Sequence, residues 1–158
     1  MANRIVARSL KKSFKSLEPK IVGVLRRLFL FKKIKNSHLE VFLVDSKIMN
    51  KNVLSFEPPK SFPHPDIKQR KLGEIYLNPD YIRKELLEIV PPLAGSRLQK
   101  LPKKGGGKNF KLEIPTKLAY MLIHGFLHLL GYDHKRKSDT IKMKKEEGRL
   151  LRELEIHV

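Results

Sequence analysis

The chain lacks cysteine altogether, which limits the ways in which it can be cross-linked or bind metal. Without cysteine there is no disulfide framework and no zinc site built on thiolates. Any metal ion must therefore be bound by histidine or carboxylate side chains. A reducing compartment is compatible with this composition.

Acidic residues are scarce relative to basic ones. The 158 residues include 34 Lys and Arg but only 16 Asp and Glu, so the formal net charge is +18. Such a surface attracts polyanions: nucleic acid is the first candidate partner and an anionic membrane is the second, with a merely well-solvated surface as the alternative. Contacts of this kind bind the phosphate backbone and imply no sequence specificity.

Long apolar runs that would span a membrane are also missing. The run at residues 21–31 is interrupted by Arg26 and Arg27. The run LAYMLIHGFLHLL contains two histidines and is shorter than the roughly 20 residues of a membrane span. The basic N-terminal stretch resembles a transit peptide only weakly, because the apolar run after it is a poor signal-peptide core. We therefore expect a cytoplasmic protein without membrane spans.

The hydrophobic pattern predicts an α+β fold, and the length of the chain predicts a single domain that covers residues 1–158. Because the predicted strands lie in the first half of the chain, we expect a small mixed sheet of about four strands packed with helices. Proline and glycine predict long loops at residues 57–71 and 91–111. The predicted strands are residues 4–10, 38–45, 52–56 and 74–78, and the predicted helices are residues 17–34, 80–90, 116–130 and 137–156.

Half of the six histidines lie within the stretch HGFLHLLGYDH, residues 124–134. His124 and His128 are four residues apart in the predicted helix, so both rings lie on one face and can bind one cation. Gly131 can end the helix in the left-handed conformation and reverse the chain, which brings His134 toward the same point. Three nitrogen ligands leave a fourth coordination position open, as in catalytic zinc sites. The alternative is three histidines satisfied separately in the core or at the surface.

Further predictions concern the surroundings of this motif and the remaining histidines. Asp133, in the turn, is a candidate acceptor for a histidine N–H behind the metal, or else a solvent-facing turn residue. His38 and His157 have no comparable context and are expected to be exposed, and His64 in the proline-rich loop is a weak site candidate. The basic, glycine-rich segment 97–111 is either an RNA-facing extension or a flexible insertion.

The spacing of the three histidines resembles the H-E-x-x-H-x-x-G-x-x-H motif of metzincin proteases, with one difference. Gly125 occupies the position at which those enzymes carry the glutamate general base. A peptidase without that carboxylate is disfavoured. Another group must handle the proton, or a zinc-bound water must ionise unaided, which is feasible because zinc lowers the pKa of that water to about 7.

The same stretch resembles the signature of the YbeY family of bacterial single-domain endoribonucleases. The family motif is H-G-x-L-H-L-x-G-Y-D-H, and every fixed position is present from His124 to His134. NVLSF at residues 52–56 is similar to the family's T-N/D-V-L-S-F strand, with Lys51 in place of the threonine, and LGEI at residues 72–75 is similar to its L-G-D-I. The three matches occur in the family's order and together span about half of the chain.

The resemblance implies a zincin-like α+β domain with a basic groove beside the histidine helix. It implies a metal-dependent endoribonuclease that hydrolyses phosphodiesters in single-stranded RNA during ribosomal RNA maturation. It also implies that His124, His128 and His134 bind one metal ion, usually zinc, and that ribosomal RNA or ribosomal subunits are the partners.

The segment before NVLSF departs from the family pattern, in which a longer connection carries an arginine that is important for activity. Here residues 45–51 are short and contain no arginine. Lys47 is a candidate catalytic replacement that would place a point charge on a phosphate, or else an exposed lysine in a turn. Asn52 and Ser55 are candidate substrate-binding residues, or else they satisfy backbone groups at a sheet edge. The missing arginine favours a rival prediction, a non-catalytic RNA- or ribosome-binding factor whose metal site is structural or vestigial.

Overall fold

The structure is a computed structural model that describes residues 2–59, 68–89 and 114–156. Within these ranges the chain forms four strands, four α-helices and, between β1 and α1, a 3₁₀ helix at Lys12–Leu17. In chain order the strands and α-helices are β1 (Arg4–Ser9), α1 (Glu18–Phe31), β2 (Ser37–Leu43), β3 (Val53–Phe56), β4 (Arg70–Leu77), α2 (Pro79–Ile89), α3 (Thr116–Leu129) and α4 (Lys137–Ile156).

The four strands form one mixed sheet in the order β1-β2-β4-β3. Strands β1, β2 and β4 run parallel, whereas β3 runs antiparallel to β4. Between β3 and β4, Val53 pairs with Leu77 at one end and Phe56 pairs with Glu74 at the other. Strand β3 is therefore the last strand at its end of the sheet. This position places it beside helix α3.

Helices cover one face of the sheet and enclose the core. From Leu39 onward in β2 and from Gly73 onward in β4, buried side chains alternate with partly exposed ones, as the period of two in a strand requires. Helix α3 is apolar around most of its circumference, and its Phe126 stacks on Phe29 of α1 with ring centroids 5.7 Å apart. Helix α3 is thus the central helix of the layer, and its ends and orientation are set by packing.

The predicted α+β class with a mixed four-stranded sheet is confirmed. Strand β4 begins at Arg70, four residues before the predicted start at residue 74, because the chain pairs with β2 through an irregularity between His38 and Leu39. The 3₁₀ helix was not predicted, and it buries Phe14 against the core. The prediction that His38 is exposed is wrong: the side chain is 2% exposed, and its Nε2 lies 3.5 Å from Glu40 Oε1.

Several other predictions fall outside the described residues. His64, His157 and the glycine-rich segment 97–111 lie there, so their predicted roles stay as predictions. In the ranges that the structure does describe, no helix combines the length and the apolar character needed to cross a membrane.

Candidate metal centre and cleft

Helix α3 and the turn after it bring the three predicted histidines together. His124 and His128 lie one turn apart on α3, and the helix ends with Leu130 N–H donating to the carbonyls of Phe126 and Leu127. Gly131 then has φ of +97°, the left-handed conformation that glycine adopts without a Cβ penalty. The chain reverses at this residue, and His134 returns to the pair.

The ring nitrogens of these three residues are close enough to share one ion. One ligand atom from each of His124, His128 and His134 lies within 4.8 Å of the other two. The Nε2 atoms of His124 and His128 are 3.1 Å apart. Two nitrogens bound tetrahedrally at 2.0–2.1 Å to one zinc ion would be separated by about 3.3 Å. The donor set and its spacing therefore fit a divalent transition metal such as zinc.

Each helical histidine is oriented by a hydrogen bond from its other ring nitrogen. His124 Nδ1 lies 2.7 Å from Glu147 Oε1, and His128 Nδ1 lies 3.0 Å from the carbonyl oxygen of Tyr132. A carbonyl or an ionised carboxylate only accepts, so both Nδ1 atoms donate and both Nε2 lone pairs are left for a metal.

Burial lowers the pKa of His128, and the neighbouring rings of His124 and His134 lower it further. A metal binds the neutral form of imidazole, so a lower pKa of the ring favours metal binding. The surroundings of His128 thus favour the protonation state that a metal ligand needs.

The histidines open into a cleft of about 600 Å³ between the turn and strand β3. Three groups line this site cleft: the three histidines, the turn after α3, and the strand β3 region with charged residues at both ends. Its lining residues are Lys51, Val53, Leu54, Ser55, Glu57, His124, His128, Leu129, Gly131, Tyr132, Asp133 and His134.

A second cavity of about 430 Å³ meets the site cleft at His124 and His134 and extends toward α4. Its walls are mainly apolar, from Val53, Met121 and Met143, with Glu147 at one side. The histidines therefore stand where an open, polar cleft and a more apolar recess meet.

The two predicted substrate-binding residues take up most of their hydrogen-bonding capacity within the protein. Ser55 Oγ donates to the carbonyl of Gly125 over 2.9 Å, and so ties β3 to α3. Asn52 accepts from Val53 N–H at 2.7 Å and donates to Glu85, while its side chain lines the second cavity. Both residues adjoin the histidines, and their contact with substrate remains a prediction.

The other two predicted residues, Asp133 and Lys47, make no described hydrogen bond to the histidine rings. Asp133 Oδ1 accepts from the backbone N–H of His134 at 2.7 Å, whereas the described acceptors of the histidine rings are Glu147 and the Tyr132 carbonyl. Lys47 is exposed in the turn after Asp45 and lines neither cavity. Lys51, which was not singled out as a catalytic residue, lines the site cleft instead.

Gly125 lies where α3 packs closely against the sheet. A Cβ there would lie 2.8 Å from Ser55 Oγ and 3.1 Å from a methyl carbon of Val53 and of Ile75. A glutamate in place of Gly125 would therefore point into the sheet and collide with it. The packing around Gly125 therefore leaves no room for the glutamate general base that the metzincin motif carries at this position.

Glu147 is the site residue that the sequence reasoning missed. It lies on α4 at the spacing of the buried Met143, Leu150 and Leu154, and it is only 2% exposed. An acidic residue at a position where the helical pattern calls for an apolar one is the signal that would have identified it.

Comparison with known proteins supports the resemblance. A family model described as Endoribonuclease YbeY matches residues 104–155. A protein named Endoribonuclease YbeY from Wolbachia sp. subsp. Drosophila simulans is 29% identical over 134 residues, which cover 78% of this chain and 75% of the relative. Another of that name, from Clostridium botulinum strain Langeland, is 31% identical over 98 residues, 61% of this chain and 59% of the relative.

A solved structure supports the fold. The solution structure of a Thermotoga maritima protein matches with a TM-score of 0.52 over 95% of this chain and 88% of that one, at 23% sequence identity. At this identity the match shows the fold alone. Together with the family model and the relatives, it confirms the resemblance that the histidine motif predicted.

Proposed function

We propose that this chain, a relative of the YbeY family in sequence and fold, is a metal-dependent endoribonuclease. The observation that carries the proposal is the convergence of three histidine nitrogens within 4.8 Å at the floor of an open cleft. Two of these histidines are already oriented by hydrogen bonds from Nδ1. This is the arrangement of a catalytic site, because three protein ligands leave one position open.

The reaction class follows from what such a site can supply. A bound zinc or similar ion would supply Lewis acidity toward a phosphoryl oxygen and lower the pKa of a water. His124, His128 and His134 would hold the ion, and all three line the cleft. Glu57 and Asp133 are the carboxylates among the described lining of the cleft.

The proposed substrate is single-stranded ribosomal RNA, cleaved in the cytoplasm during ribosome maturation. The net charge of +18 supports a salt-dependent grip on the phosphate backbone. The site cleft is open and carries Lys51 at one end, so an extended strand can reach the histidines without a deep pocket. Asn52 and Ser55 are the proposed RNA contacts at strand β3. Lys47, which lines neither cavity, is a further proposed RNA contact.

The test separates cleavage from binding. Zinc-loaded protein and its His128→Ala variant are incubated with single-stranded and structured RNA, and RNA affinity is measured under the same conditions by fluorescence anisotropy. We expect cleavage of single-stranded RNA by the wild type, loss of cleavage to background in the variant, and RNA affinity within a few-fold of wild type. Cleavage that persists in His128→Ala would contradict the proposal.

A non-catalytic RNA- or ribosome-binding factor is the second candidate function. The position of Lys47 outside both cavities supports it, because the chain then has no described replacement there for the family's arginine. In that case the wild type binds RNA and metal but cleaves no RNA with any divalent ion tested. Metal-dependent cleavage that is lost with His128 would exclude this candidate.

A further inference from the structure

We propose that Glu147 is a positioning residue, which fixes the orientation and tautomer of His124 so that Nε2 faces the cleft. The inference concerns the protein's own hydrogen bonds and rests on the proposed metal site for its functional meaning. It assigns a role in the site to a residue on α4, which the histidine motif does not include.

The burial of Glu147 calls for an explanation, because its side chain is 2% exposed. A buried carboxylate costs several kcal/mol in desolvation unless it is paired and hydrogen-bonded. In the part of the chain that the structure describes, its ion-pair partner is His124, and no lysine or arginine is within bridging distance. An apolar residue would pack better at this position of the helix, so we attribute the carboxylate to its hydrogen bonds with His124 and Tyr120.

Both oxygens of this carboxylate are engaged. Oε1 lies 2.7 Å from His124 Nδ1, and Oε2 accepts from the hydroxyl of Tyr120. Burial and the adjacent carboxylate raise the pKa of Tyr120 to about 12, so the phenol keeps its proton and remains a donor. With one oxygen anchored by Tyr120, the other cannot swing away from His124.

The two helical histidines are consequently held by different acceptors. His128 donates to the neutral carbonyl of Tyr132, whereas His124 donates to a carboxylate. A carboxylate behind a ligating imidazole fixes its tautomer and raises its basicity more than a carbonyl does. His124 is therefore the ligand whose metal affinity depends on a neighbouring side chain.

The preceding residue on α4 provides a matched control. Glu146 lies one position earlier and has no described hydrogen bond to a histidine; it pairs instead with Lys32 at 3.0 Å and with Arg149. Neutralising either glutamate removes one negative charge from the same helix turn. Only the change at Glu147 removes the partner of a histidine.

The experiment compares Glu147→Leu, Glu147→Gln, Tyr120→Phe and Glu146→Gln with the wild type. Imidazole ¹H–¹⁵N correlation spectra of the metal-free proteins report the tautomer of His124, and competition titrations with zinc and cobalt report affinity. We expect the Nδ1–H tautomer in the wild type and its loss in Glu147→Leu. We expect the zinc affinity of Glu147→Leu to fall roughly 10- to 100-fold.

The remaining variants separate orientation from charge. In Glu147→Gln the amide oxygen can still accept from Nδ1, so the tautomer should be retained while affinity falls less than in Glu147→Leu. Tyr120→Phe should lower affinity by a smaller factor still, and Glu146→Gln should stay within threefold of wild type.

Unchanged tautomer and affinity in Glu147→Leu would overturn the inference. If that variant does not fold, wild-type affinity in both Glu147→Gln and Tyr120→Phe would overturn it equally. A wild type that binds neither zinc nor cobalt would refute the proposed function, while the tautomer spectra would still decide the role of Glu147.

Discussion

Two segments line the same cleft and are held in opposite ways. The histidine turn, residues 124–134, is anchored in the core through Phe126 and Leu127, and the rings of His124 and His128 are fixed by Glu147 and a backbone carbonyl. The edge segment, residues 45–56, is exposed at several of its side chains and belongs to the last strand of the sheet.

The difference in packing fits what each segment would do in the proposed site. The proposed metal ligands would need fixed geometry, and two of them, His124 and His128, lie on the buried helix α3. Side chains that contact a flexible polyanion need length and positive charge more than a fixed geometry. The family pattern is complete in the histidine turn and incomplete in the edge segment, and this matches the difference in packing.

The largest expected effect is at the contact that joins the two segments. Gly125→Ala places a Cβ 2.8 Å from Ser55 Oγ and 3.1 Å from methyl carbons of Val53 and Ile75, so these side chains must give way. We expect a loss of about 1–3 kcal/mol in the free energy of unfolding, measured with urea, because an extra methyl group overpacks a close interface. Gly125→Glu should not yield a folded protein.

A double variant sharpens this prediction. Ser55→Ala removes the hydroxyl that the new methyl group approaches, so Gly125→Ala should cost less in that background, with a coupling of about 0.5 kcal/mol or more. If the two substitutions change the free energy of unfolding additively, the strain of Gly125→Ala does not arise at Ser55. The contact between the histidine turn and the edge segment would then not be supported.

The next effect concerns the reversal of the histidine turn. Gly131 has φ of +97°, so Gly131→Ala should destabilise the protein by about 1 kcal/mol and weaken zinc binding, because His134 follows the strained residue. Gly148→Ala, on α4 with nothing within 4 Å of the added Cβ, is the control and should stabilise by up to about 1 kcal/mol. If Gly131→Ala binds zinc as well as Gly148→Ala, the turn does not depend on this conformation.

A smaller effect comes from the ion cluster of Glu146, Lys32 and Arg149, which lines neither cavity at the histidines. Hydrogen bonds from Arg149 and then Lys32 lower the pKa of Glu146 to about 2, against the effect of partial burial, and Lys32 also contacts the hydroxyl of Tyr132. Because the folded-state pKa lies below the unfolded value of 4.5, the unfolded state binds more protons in between. The stability from this carboxylate is present above pH 4.5 and is lost as the pH falls toward 2.

The measurement is urea unfolding of Glu146→Gln and wild type across this range. After allowance for solvent screening at the partly exposed Arg149, we expect the variant to be about 1 kcal/mol less stable at pH 7. The gap should narrow steadily as the pH falls below 4.5. Glu155→Gln, at an exposed position on the same helix, should show no gap, and a gap for Glu146→Gln that does not change with pH would contradict the assignment.

The smallest expected effect is on the edge segment itself. Lys51 lines the site cleft and Lys47 does not, so Lys51→Ala should raise the KM for RNA a few-fold and Lys47→Ala should raise it less. Both effects should shrink as salt is added, because they arise from phosphate contacts. A larger effect at Lys47 would support its predicted role as the replacement for the missing arginine.

The histidine turn was readable from the sequence because its information is local. The i, i+4 spacing of His124 and His128 and the glycine after the helix define the geometry within eleven residues. The sheet order and the extension of β4 depend on pairing between distant segments, which no local pattern specifies.

The dependence on distant segments also explains why Glu147 was missed and why His38 was wrongly predicted to be exposed. Glu147 lies 23 positions from the His124 that it orients, so only the packing of α4 on α3 brings them together. His38 is polar and follows a loop, so exposure was the simple expectation. Its burial depends on the segments that pack around β2 and on the nearby Glu40.

The most direct test of the account is the metal content of the purified protein without a histidine tag, measured by elemental analysis beside His128→Ala. The account predicts about one zinc or similar divalent ion per wild-type chain and its loss in the variant. A wild type that contains no metal and takes up none on titration, or a variant that retains as much as the wild type, would contradict it.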